Sequence, residues 1–545
     1  MTFSLLATPW LPVRRRSGAK SVIRPAEIAS NFADDPVVAF AWGRPDFDAA
    51  AREFMIGLLA TAFAPADGKT FLAWWRDPPE AAQLDEAFAP FVAAFVLDGE
   101  GARFGQDMDA LADADETPIS GLLIEAPGAN TIKENKDLFQ KRGQVQGLSR
   151  AAAAMALFTL QTFAPSGGAG HRVSLRGGGP LTTLVAPSYG TTELWRLLWL
   201  NTPQVDSAYP PAHDSKERIF PWLAPTMTSE GKPPRTVSPH SSHILQAFWG
   251  MPRRIRLSFG PNTSRAQCSI TGEIDDCIVA TYRTRPYGVS YDASFEHNLS
   301  PYYRPKAKGD WLPVHPQPGG VLYKDWPSVA GEASEEERPA RIVAIAARRV
   351  RSLGRVAEAR LLAAGFDMDN MKARGFVETE MPIFLLPEEA IEEFHHSARG
   401  IVGAADLAAS ATGIAVRIAL AGERADGKAT PFSALREAFF QETQDDFFAL
   451  LREFAHRFAS FSGDPTPMQH EIGDRWLKIL KARSLAMFEE AVGFDVLPLK
   501  IMERAVPARR DLIGAFSGFG GMGRKIFAAL DLEPPQPKKK AGKAA

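Results

Sequence analysis

The stretch Phe163–Pro187, FAPSGGAGHRVSLRGGGPLTTLVAP, places two glycine runs on either side of His171, Arg172 and Arg176. Glycine allows a loop to adopt positive φ angles and to approach a groove without Cβ collisions. Arginines beside such a loop can contact phosphates. The stretch therefore indicates either a place where the backbone meets a polyanion or an ordinary surface turn.

The sequence on both sides of this stretch predicts a mixed α/β region over residues 1–380. The alanine-rich segment Ala151–Phe163 predicts a helix, and the runs Pro180–Val185 and Ile255–Phe259 predict strands between Pro- and Gly-rich turns. Apolar residues at helical spacing predict a further helix over Arg341–Ala364, and residues 206–239 predict a long loop.

From Pro387 onward the pattern changes to long amphipathic segments. They predict four helices, which indicate a four-helix bundle over residues 385–530. The tail, residues 531–545, is rich in Pro and Lys and predicts a disordered basic segment. The fold class is therefore α+β, a large mixed domain followed by a helical bundle. The four helices are expected over residues 387–422, 432–461, 467–492 and 502–530.

Composition points to a soluble cytoplasmic protein of two or more domains. The chain has 545 residues, of which 45% are hydrophobic and 23% charged, and one hydrophobic core does not grow to that size. Cys268 and Cys277 are its only cysteines, which excludes a disulfide framework and fits a reducing compartment. The N-terminus does not have the order of a signal peptide, and no apolar run suggests a membrane span.

A net charge of −2 gives no global attraction to nucleic acid, so such binding would depend on local clusters. Each cluster could instead be a solvated helix or strand face. The basic clusters are Arg14, Arg15, Arg16 and Lys20; Arg253, Arg254 and Arg256; and Arg348, Arg349, Arg351, Arg355 and Arg360.

Enzyme motifs are poorly supported. The run Gly518–Gly523, GFGGMG, matches a dinucleotide fingerprint as a string but lies in the last helical region, where no βαβ unit fits. Glu392 and His395 form half of a di-iron motif without a second copy, so His395 and His396 are expected near a helix surface. Cys268 and Cys277 lack paired zinc spacing. We therefore predict no catalytic residue, no cofactor and no metal.

Several strings occur together, in order, over nearly the whole chain, and in combination they resemble the CasA family, the large subunits of the type I-E CRISPR surveillance complex Cascade. No single string would suffice. They are TPWLPVR at 8–14, DLFQKRGQVQG at 137–147, SGGAGHRVSLRGGGPLTT at 166–183, AFWG at 247–250, EHNLSPY at 296–302 and AGFDMDNMKAR at 364–374, followed by the helical bundle.

The resemblance implies a non-enzymatic subunit that reads the protospacer-adjacent motif (PAM) in double-stranded DNA and helps to open the duplex for guide pairing. It assigns motif reading to a glycine loop, Gly167, Gly168, Ala169 and Gly170. It implies a wedge at Asp369, Asn370, Met371 and Lys372, preceded by a helix, Arg348 to Arg360, along the DNA backbone. A loop at the guide-RNA 5′ handle would use Phe139, Lys141 and Arg142. Some members have a cationic residue beside the motif. In this chain the candidates for it are Arg283 and Arg285.

The implied partners are the backbone and small Cascade subunits, guide RNA, target DNA and the helicase-nuclease. Two alternatives stay open: a free-standing enzyme acting on a phosphorylated or nucleic-acid substrate, and a purely architectural assembly protein. Turnover by the purified chain would favour the first alternative, and DNA binding that ignores changes at Gly168, Ala169 and Asn370 would favour the second.

Overall fold

The computed structural model divides the chain into two compact units. The first unit consists of Met1–Gly320 and Ser334–Glu380, and the second of Val321–Ala333 and Met381–Ala545. The described residues are 2–137, 142–168, 170–187, 193–206, 210, 216–306, 308–354, 358–369, 371–422, 430–459, 463–493 and 499–534.

The first unit mixes helices with short antiparallel sheets. Its helices are α1 (Pro45–Ala62), α2 (Gly68–Arg76), α3 (Ala81–Phe88), α4 (Ala129–Lys133), α5 (Arg150–Phe163), α6 (Leu194–Leu200), α7 (Lys216–Ile219) and, in 334–380, α9 (Arg341–Ser352). Its strands are β1 (Leu11–Arg15), β2 (Lys20–Ile23), β3 (Val37–Phe40), β4 (Glu116–Pro118), β5 (Thr182–Pro187), β6 (Arg254–Pro261), β7 (Cys277–Arg285), β8 (Tyr302–Tyr303), β9 (Leu312–Pro313), β10 (Glu337–Arg338), β11 (Glu358–Asp369) and the first part of β12 (Lys372–Phe384).

The sheet with strand order β12-β11-β5 positions the turn that the resemblance assigns to the wedge. In its antiparallel β11–β5 pair, Ala364 lies opposite Thr182 and Ala359 lies opposite Pro187. The start of β5 therefore lies beside the half of β11 that leads to the turn into β12. The other sheets are ordered β2-β1-β3, β4-β7-β6 and β10-β8-β9.

Aromatic rings around Phe54 form the core of the first unit. Phe54 lies on α1 and is fully buried. Edge-to-face pairs of this kind add to the stabilisation that comes from apolar burial. The rings of Trp10, Phe95, Phe104, Phe158 and Trp249 lie edge-on to that of Phe54, with centroids 5.3–5.9 Å away.

The expected helix over Arg341–Ala364 is wrong beyond Ser352. Helix α9 ends there, and Glu358–Asp369 forms β11 instead, because its alternate residues Ala359, Leu361 and Ala363 are buried while the strand pairs with β5. The arginine-rich segment before this strand keeps a helical spacing of apolar residues. The alternation over 358–369, which is typical of a strand, was therefore read as a continuation of the helix.

The expectation that the arginines of this segment line DNA is also wrong at Arg349. Its buried guanidinium donates to the carbonyl oxygens of Leu200 and Thr202 at 2.9 and 2.7 Å and lies over the ring of Phe71. Arg349 therefore stabilises the interior of the first unit.

The second unit is helical. Four long segments were expected, and the last of them forms two helices because the chain turns between Ala515 and Gly520, where Gly518 adopts a φ of +79°. Its helices are α8 (Trp326–Ala330), α10 (Glu388–Ala421), α11 (Thr430–Ala459), α12 (Thr466–Val492), α13 (Leu499–Ala515) and α14 (Gly520–Ala529).

The segment Val321–Ala333 belongs to this unit, although the sequence analysis placed it within 1–380. The reason is aromatic packing. The ring of Tyr323 stacks on that of Phe447 at 4.3 Å, and the indole of Trp326 donates to the carbonyl oxygen of Pro382 at 2.7 Å and stacks on His395. These contacts join the segment to the core of the second unit.

Helix α10 is the one candidate membrane span among the described residues by length and composition. Within its most apolar window, 56% of the residues are buried inside the unit. That share is typical of the core helix of a soluble protein, since α10 packs against α11, α12, α13 and α14.

His395 on α10 is buried, which corrects the expectation of a surface position, whereas His396 is exposed. Burial, followed by the nearby charge of Arg399, lowers the pKa of His395 to about 4. The unfolded chain takes up this proton near the ordinary pKa of about 6.5, so the second unit loses stability as pH falls from about 6.5 towards 4.

We therefore expect His395→Phe, which keeps the stack on Trp326, to flatten this pH dependence. Between pH 7.5 and pH 5 the unmodified chain should lose about 2 kcal/mol of unfolding free energy at α10 through this group. Hydrogen exchange of α10 peptides, corrected for the intrinsic effect of pH, measures the loss. His396→Phe is the control and should keep the full dependence; equal slopes in all three proteins would contradict the assignment.

Candidate nucleic-acid interface

The first glycine run forms a closed loop immediately after α5. The Gly167 N–H donates to the carbonyl oxygen of His171 at 3.2 Å, and the His171 N–H donates to that of Gly168 at 2.8 Å. Gly168 and Gly170 have φ angles of +63° and +85°, a region that side-chain-bearing residues rarely adopt. The loop conformation therefore requires glycine at both positions.

Close packing behind the loop imposes the same requirement. A Cβ on Gly170 would lie 2.8 Å from Cε1 of Tyr287, and a Cβ on Gly167 would collide with Nη1 of Arg253 and lie 2.6 Å from Cβ of His171. Any side chain here would push the loop away from its support.

Arg253 supports the loop from below. Its buried guanidinium donates to the carbonyl oxygen of Pro165, and its backbone N–H donates to Oε1 of Gln161 at 2.9 Å. Burial lowers the pKa of Arg253 to about 10, so the side chain is still protonated at neutral pH. Within the described residues no carboxylate pairs with it, and the loop therefore lies over a fixed positive charge.

Tyr287 and Arg172 hold the outer side of the loop. The Tyr287 N–H donates to the carbonyl oxygen of Gly170 at 2.9 Å, and the guanidinium of Arg172 lies 6.0 Å from the centre of the Tyr287 ring. Arg172 also donates to Oγ of Ser229 at 2.7 Å. The Ser229 hydroxyl in turn donates to the carbonyl oxygen of Gly288 at 2.7 Å, so these residues form one connected network.

The turn between β11 and β12 meets this glycine loop. A Cβ on Gly168 would lie 3.5 Å from Sδ of Met371, which is ordinary van der Waals contact. Met371 is 54% exposed, so an apolar side chain projects at the surface beside the loop. The two elements that the sequence predicted as motif reader and wedge therefore lie side by side.

Charged groups fix the hairpin just below its turn. Arg374 donates to both carboxylate oxygens of Asp367 at 2.9 and 2.6 Å, a bidentate pair across the two strands. The side chain of Asp369 is 61% exposed, and Lys372 is also exposed. The turn thus presents Met371 between an acidic and a basic residue. Ala169 and Asn370 lie outside the described residues.

Arg283 and Arg285 lie on β7, and each pairs with a carboxylate. Nη2 of Arg283 lies 3.3 Å from Oε1 of Glu116, and Arg285 forms an ion pair with Asp113. The strand ends just before Tyr287, which touches the glycine loop. Both arginines are therefore near the loop along the chain, with charges partly balanced by their partners.

Arg142 is the described member of the predicted RNA-handle loop; Phe139 and Lys141 lie outside the described residues. Its guanidinium donates to both oxygens of the Asp137 carboxylate, each at 2.6 Å. It also donates to the carbonyl oxygen of Ile132 and to Oδ1 of Asn135, each at 2.9 Å. Arg142 thus holds the segment before it together.

Arg176 does not contact solvent, which corrects its expected place among the phosphate-contacting arginines. Its side chain and that of Glu53 are each 2% exposed, with Nη2 2.5 Å from Oε1 of Glu53. Nη1 donates to the hydroxyl oxygens of Thr182 and Ser300 at 3.0 and 2.9 Å. Arg176 is therefore an internal anchor.

The second glycine run is likewise internal packing. Gly179 has a φ of +64°, and a Cβ on it would lie 2.5 Å from the carbonyl oxygen of Phe366 on β11. These glycines let the chain pass closely against the strand that leads to Met371.

Sequence reasoning missed two functional neighbours of the loop. Arg253 was recognised only as part of a basic cluster, and Tyr287 was not singled out. The Pro286-Tyr287-Gly288 sequence was a local signal for a turn near the arginines of β7. No local signal links Arg253 to Gly167, because the contact joins segments far apart in the chain. Among the described residues, no group of three or more His, Cys, Asp or Glu side chains could hold a metal ion.

A family model described as CRISPR-associated protein Cse1 matches residues 4–487. The chain belongs to the CRISPR-associated Cse1 family. This confirms the resemblance drawn from the sequence, since CasA is also called Cse1 in the Thermus thermophilus structure below. It adds no assignment of individual site residues.

Solved structures share the fold at low identity. Cse1 from Acidimicrobium ferrooxidans is 19% identical, with 98% of this chain and 99% of that chain covered and a TM-score of 0.66. Thermus thermophilus CasA (Cse1) is 18% identical, with 94% and 99% covered and a TM-score of 0.64. A chain of a CRISPR RNA-guided surveillance complex is 17% identical, with 94% and 99% covered and a TM-score of 0.60. The mixed fold with a helical C-terminal region is confirmed.

The buried pair below the loop yields a stability prediction for this Cse1-family chain. Arg176→Met should destabilise the first unit by about 3–5 kcal/mol, because it leaves the Glu53 carboxylate buried without its partner. The double variant Glu53→Gln with Arg176→Met should recover most of the loss. Urea unfolding followed by tryptophan fluorescence measures both, and a double variant as unstable as the single one would contradict this account.

Proposed function

We propose that this chain is the large subunit of a type I-E CRISPR RNA-guided complex and recognises the protospacer-adjacent motif in double-stranded DNA. In this proposal the loop Gly167–Gly170 reads the motif and the β11–β12 turn, with Asp369, Asn370, Met371 and Lys372, opens the adjoining base pairs. Family membership supports the assignment to a CRISPR complex. The observation that carries the proposal is the closeness of Met371 to the loop, since its Sδ would lie 3.5 Å from a Cβ placed on Gly168.

The geometry fits reading in a minor groove. That groove is narrow and its pattern is degenerate, so a loop without side chains can bring backbone groups to the base edges. Gly167 and Gly170 let the loop lie close against its support, and Arg253 beneath them adds a positive charge that no described carboxylate offsets. Such a loop can discriminate base pairs at close range while the charge attracts phosphates.

The exposed thioether of Met371 fits a wedge. Apolar side chains that insert between base steps unstack them at a cost of a few kcal/mol, which other contacts must offset. Here the offsetting contacts would come from Lys372 and from the glycine loop against which Met371 packs. Arg374 and Asp367 link the two strands next to the turn. The turn would therefore keep its conformation when Met371 inserts.

The remaining roles are part of the same proposal. The RNA-handle loop, with Phe139, Lys141 and Arg142, would contact guide RNA, and the helical unit would contact the small subunits. The subunit would act in the cytoplasm without catalysis of its own and would support recruitment of the helicase-nuclease. Arg283 and Arg285 would add to the positive field near the motif in spite of their ion pairs.

The wedge assignment predicts a specific defect in Met371→Ala. In the guide-loaded complex, this change should weaken binding of a motif-bearing target duplex by about tenfold, because part of the stacking that replaces the opened base step is lost. Binding of the same target as a single strand should stay within about twofold. Val92→Ala, at another exposed apolar residue of the first unit, is the control. An equal loss on duplex and single strand would contradict a wedge.

The motif-reading assignment predicts a different defect in Ala169→Asp. A carboxylate beside Gly168 and Gly170 repels the phosphates and crowds the groove, so the preference of the complex for motif-bearing over permuted duplexes should disappear. Val92→Asp adds the same charge elsewhere on the first unit and should keep the preference. Retention of the full preference by Ala169→Asp would contradict the assignment.

The two alternatives give other results in the same assays. An architectural protein would leave the motif preference unchanged in Ala169→Asp, Asn370→Ala and Met371→Ala while complex assembly still required the chain. A free-standing enzyme would turn over a phosphorylated or nucleic-acid substrate as the purified chain. Each outcome would replace the recognition proposal.

A further inference from the structure

A separate cavity of about 420 Å³ lies in the first unit, where β1, β3, β5, α6 and β11 come together. Its size is within the range of small-ligand sites, which are mostly apolar with a few placed polar groups. The lining residues are Arg14, Arg16, Val38, Ala186, Pro187, Glu193, Leu194, Leu197, Arg360 and Leu362.

This cavity is distant from the glycine loop. Arg360 lies near the start of β11 and opposite Ala186, whereas the turn with Met371 follows the other end of the strand. At about 3.3 Å per residue the nine steps from Arg360 to Asp369 span about 30 Å. The cavity is therefore a second basic site on the sheet that carries the proposed wedge.

Strand alternation places the arginines on the cavity side. On β11, Arg360 and Leu362 are partly exposed while Leu361 between them is buried, and on β1, Arg14 is exposed next to the buried Val13. Side chains at alternate positions share a face of the sheet. The cavity thus combines guanidinium groups with a wall of leucine side chains.

Glu193 places a carboxylate in this basic cavity. The residue is 8% exposed; its Oε1 accepts from Nη2 of Arg16 at 2.6 Å. Its Oε2 is buried and, within the described residues, accepts no hydrogen bond; Nη1 of Arg196 lies 3.6 Å from it. A buried carboxylate oxygen normally has a donor, so a ligand that supplies an N–H or O–H group would complete this site.

The three arginines of the cavity differ in the ion pairs and hydrogen bonds that they already form. Arg16 pairs with Glu193, and Arg360 pairs with Glu380 at 3.0 Å and donates to the carbonyl oxygen of Pro187. Arg14 has no ion pair among the described residues. An anion entering the cavity would meet Arg14 first and could share Arg360 with its carboxylate.

We propose that this cavity binds a nucleotide. Its phosphate would lie between Arg14 and Arg360, its base along Leu194, Leu197 and Leu362, and an N–H or O–H of the nucleoside would donate to Oε2 of Glu193. Inorganic phosphate would leave the leucine wall uncovered and Oε2 of Glu193 without a donor. An acidic peptide would bring carboxylates against Glu193. The inference does not rest on the proposed motif recognition, since binding by the purified chain tests it.

The test is calorimetric titration of the purified chain with AMP, GMP, CMP, UMP and inorganic phosphate. At least one nucleotide should bind at least tenfold more tightly than phosphate. Arg14→Gln and Arg360→Gln should each weaken nucleotide binding by about tenfold. Arg265→Gln, at an exposed arginine of the first unit outside the cavity lining, is the matched control and should change binding by less than twofold.

Glu193→Gln separates a nucleotide site from a general anion site. Removing the negative charge should keep or increase phosphate affinity while nucleotide affinity falls, because the acceptor oxygen for the nucleoside is replaced in part by a donor. Should this variant fail to fold, the comparison of Arg14→Gln with Arg265→Gln still decides, since both arginines are exposed.

Single-stranded DNA hexamers distinguish the source of the nucleotide. If the hexamer binds at least tenfold more tightly than the mononucleotide, the ligand is a nucleotide within a strand. If the two bind equally, the ligand is a free nucleotide. Both results support the proposal. Three results would overturn it: phosphate or hexaglutamate binding as tightly as every nucleotide, nucleotide binding unchanged in both arginine variants, or no nucleotide binding at millimolar concentration.

Discussion

The buried ion pair between Glu53 and Arg176 is the constraint on which the arrangement of the first unit depends. Two charges removed from water are costly unless hydrogen bonds satisfy them fully. Here Arg176 also donates to Thr182 and Ser300, and Thr182 donates to Oε2 of Glu53. Because each of these partners comes from a different segment, only one arrangement of α1, the glycine-rich stretch and β5 satisfies the pair.

This anchor determines where the functional elements emerge. Thr182 begins β5 and lies opposite Ala364, so the anchor also sets the position of β11, five residues before Asp369. On the other side, Gly167–Gly170 rests on Arg253 and Tyr287. The loop and the hairpin thus emerge from connected parts of the first unit, which brings Met371 close to Gly168. Preorganisation of this kind reduces the cost of ordering the loop upon binding.

The sequence allowed prediction of the elements whose signals are local. Helix α5 and strand β6 were placed to within two residues at each end, and the fold class and family were correct. The failures at Arg176, Arg349 and His395 share a cause: each side chain is buried by segments distant in the chain, and composition shows only that it is charged or polar. Strand β11 was mistaken for helix because the arginine-rich residues before it keep helical spacing. Contacts such as Gly168 with Met371 depend on tertiary packing, which no single segment encodes.

Arg253 combines support of the glycine loop with a buried positive charge. Burial lowers its pKa to about 10, which leaves it protonated at neutral pH, and no described carboxylate pairs with it. By contrast, the charges of Arg283 and Arg285 are offset by Glu116 and Asp113. In a chain of net charge −2, an uncompensated charge of low mobility produces a local field that solvent screens only weakly. Gly167 allows this charge to lie directly beneath the loop surface, so a phosphate arriving there would supply the missing counter-charge.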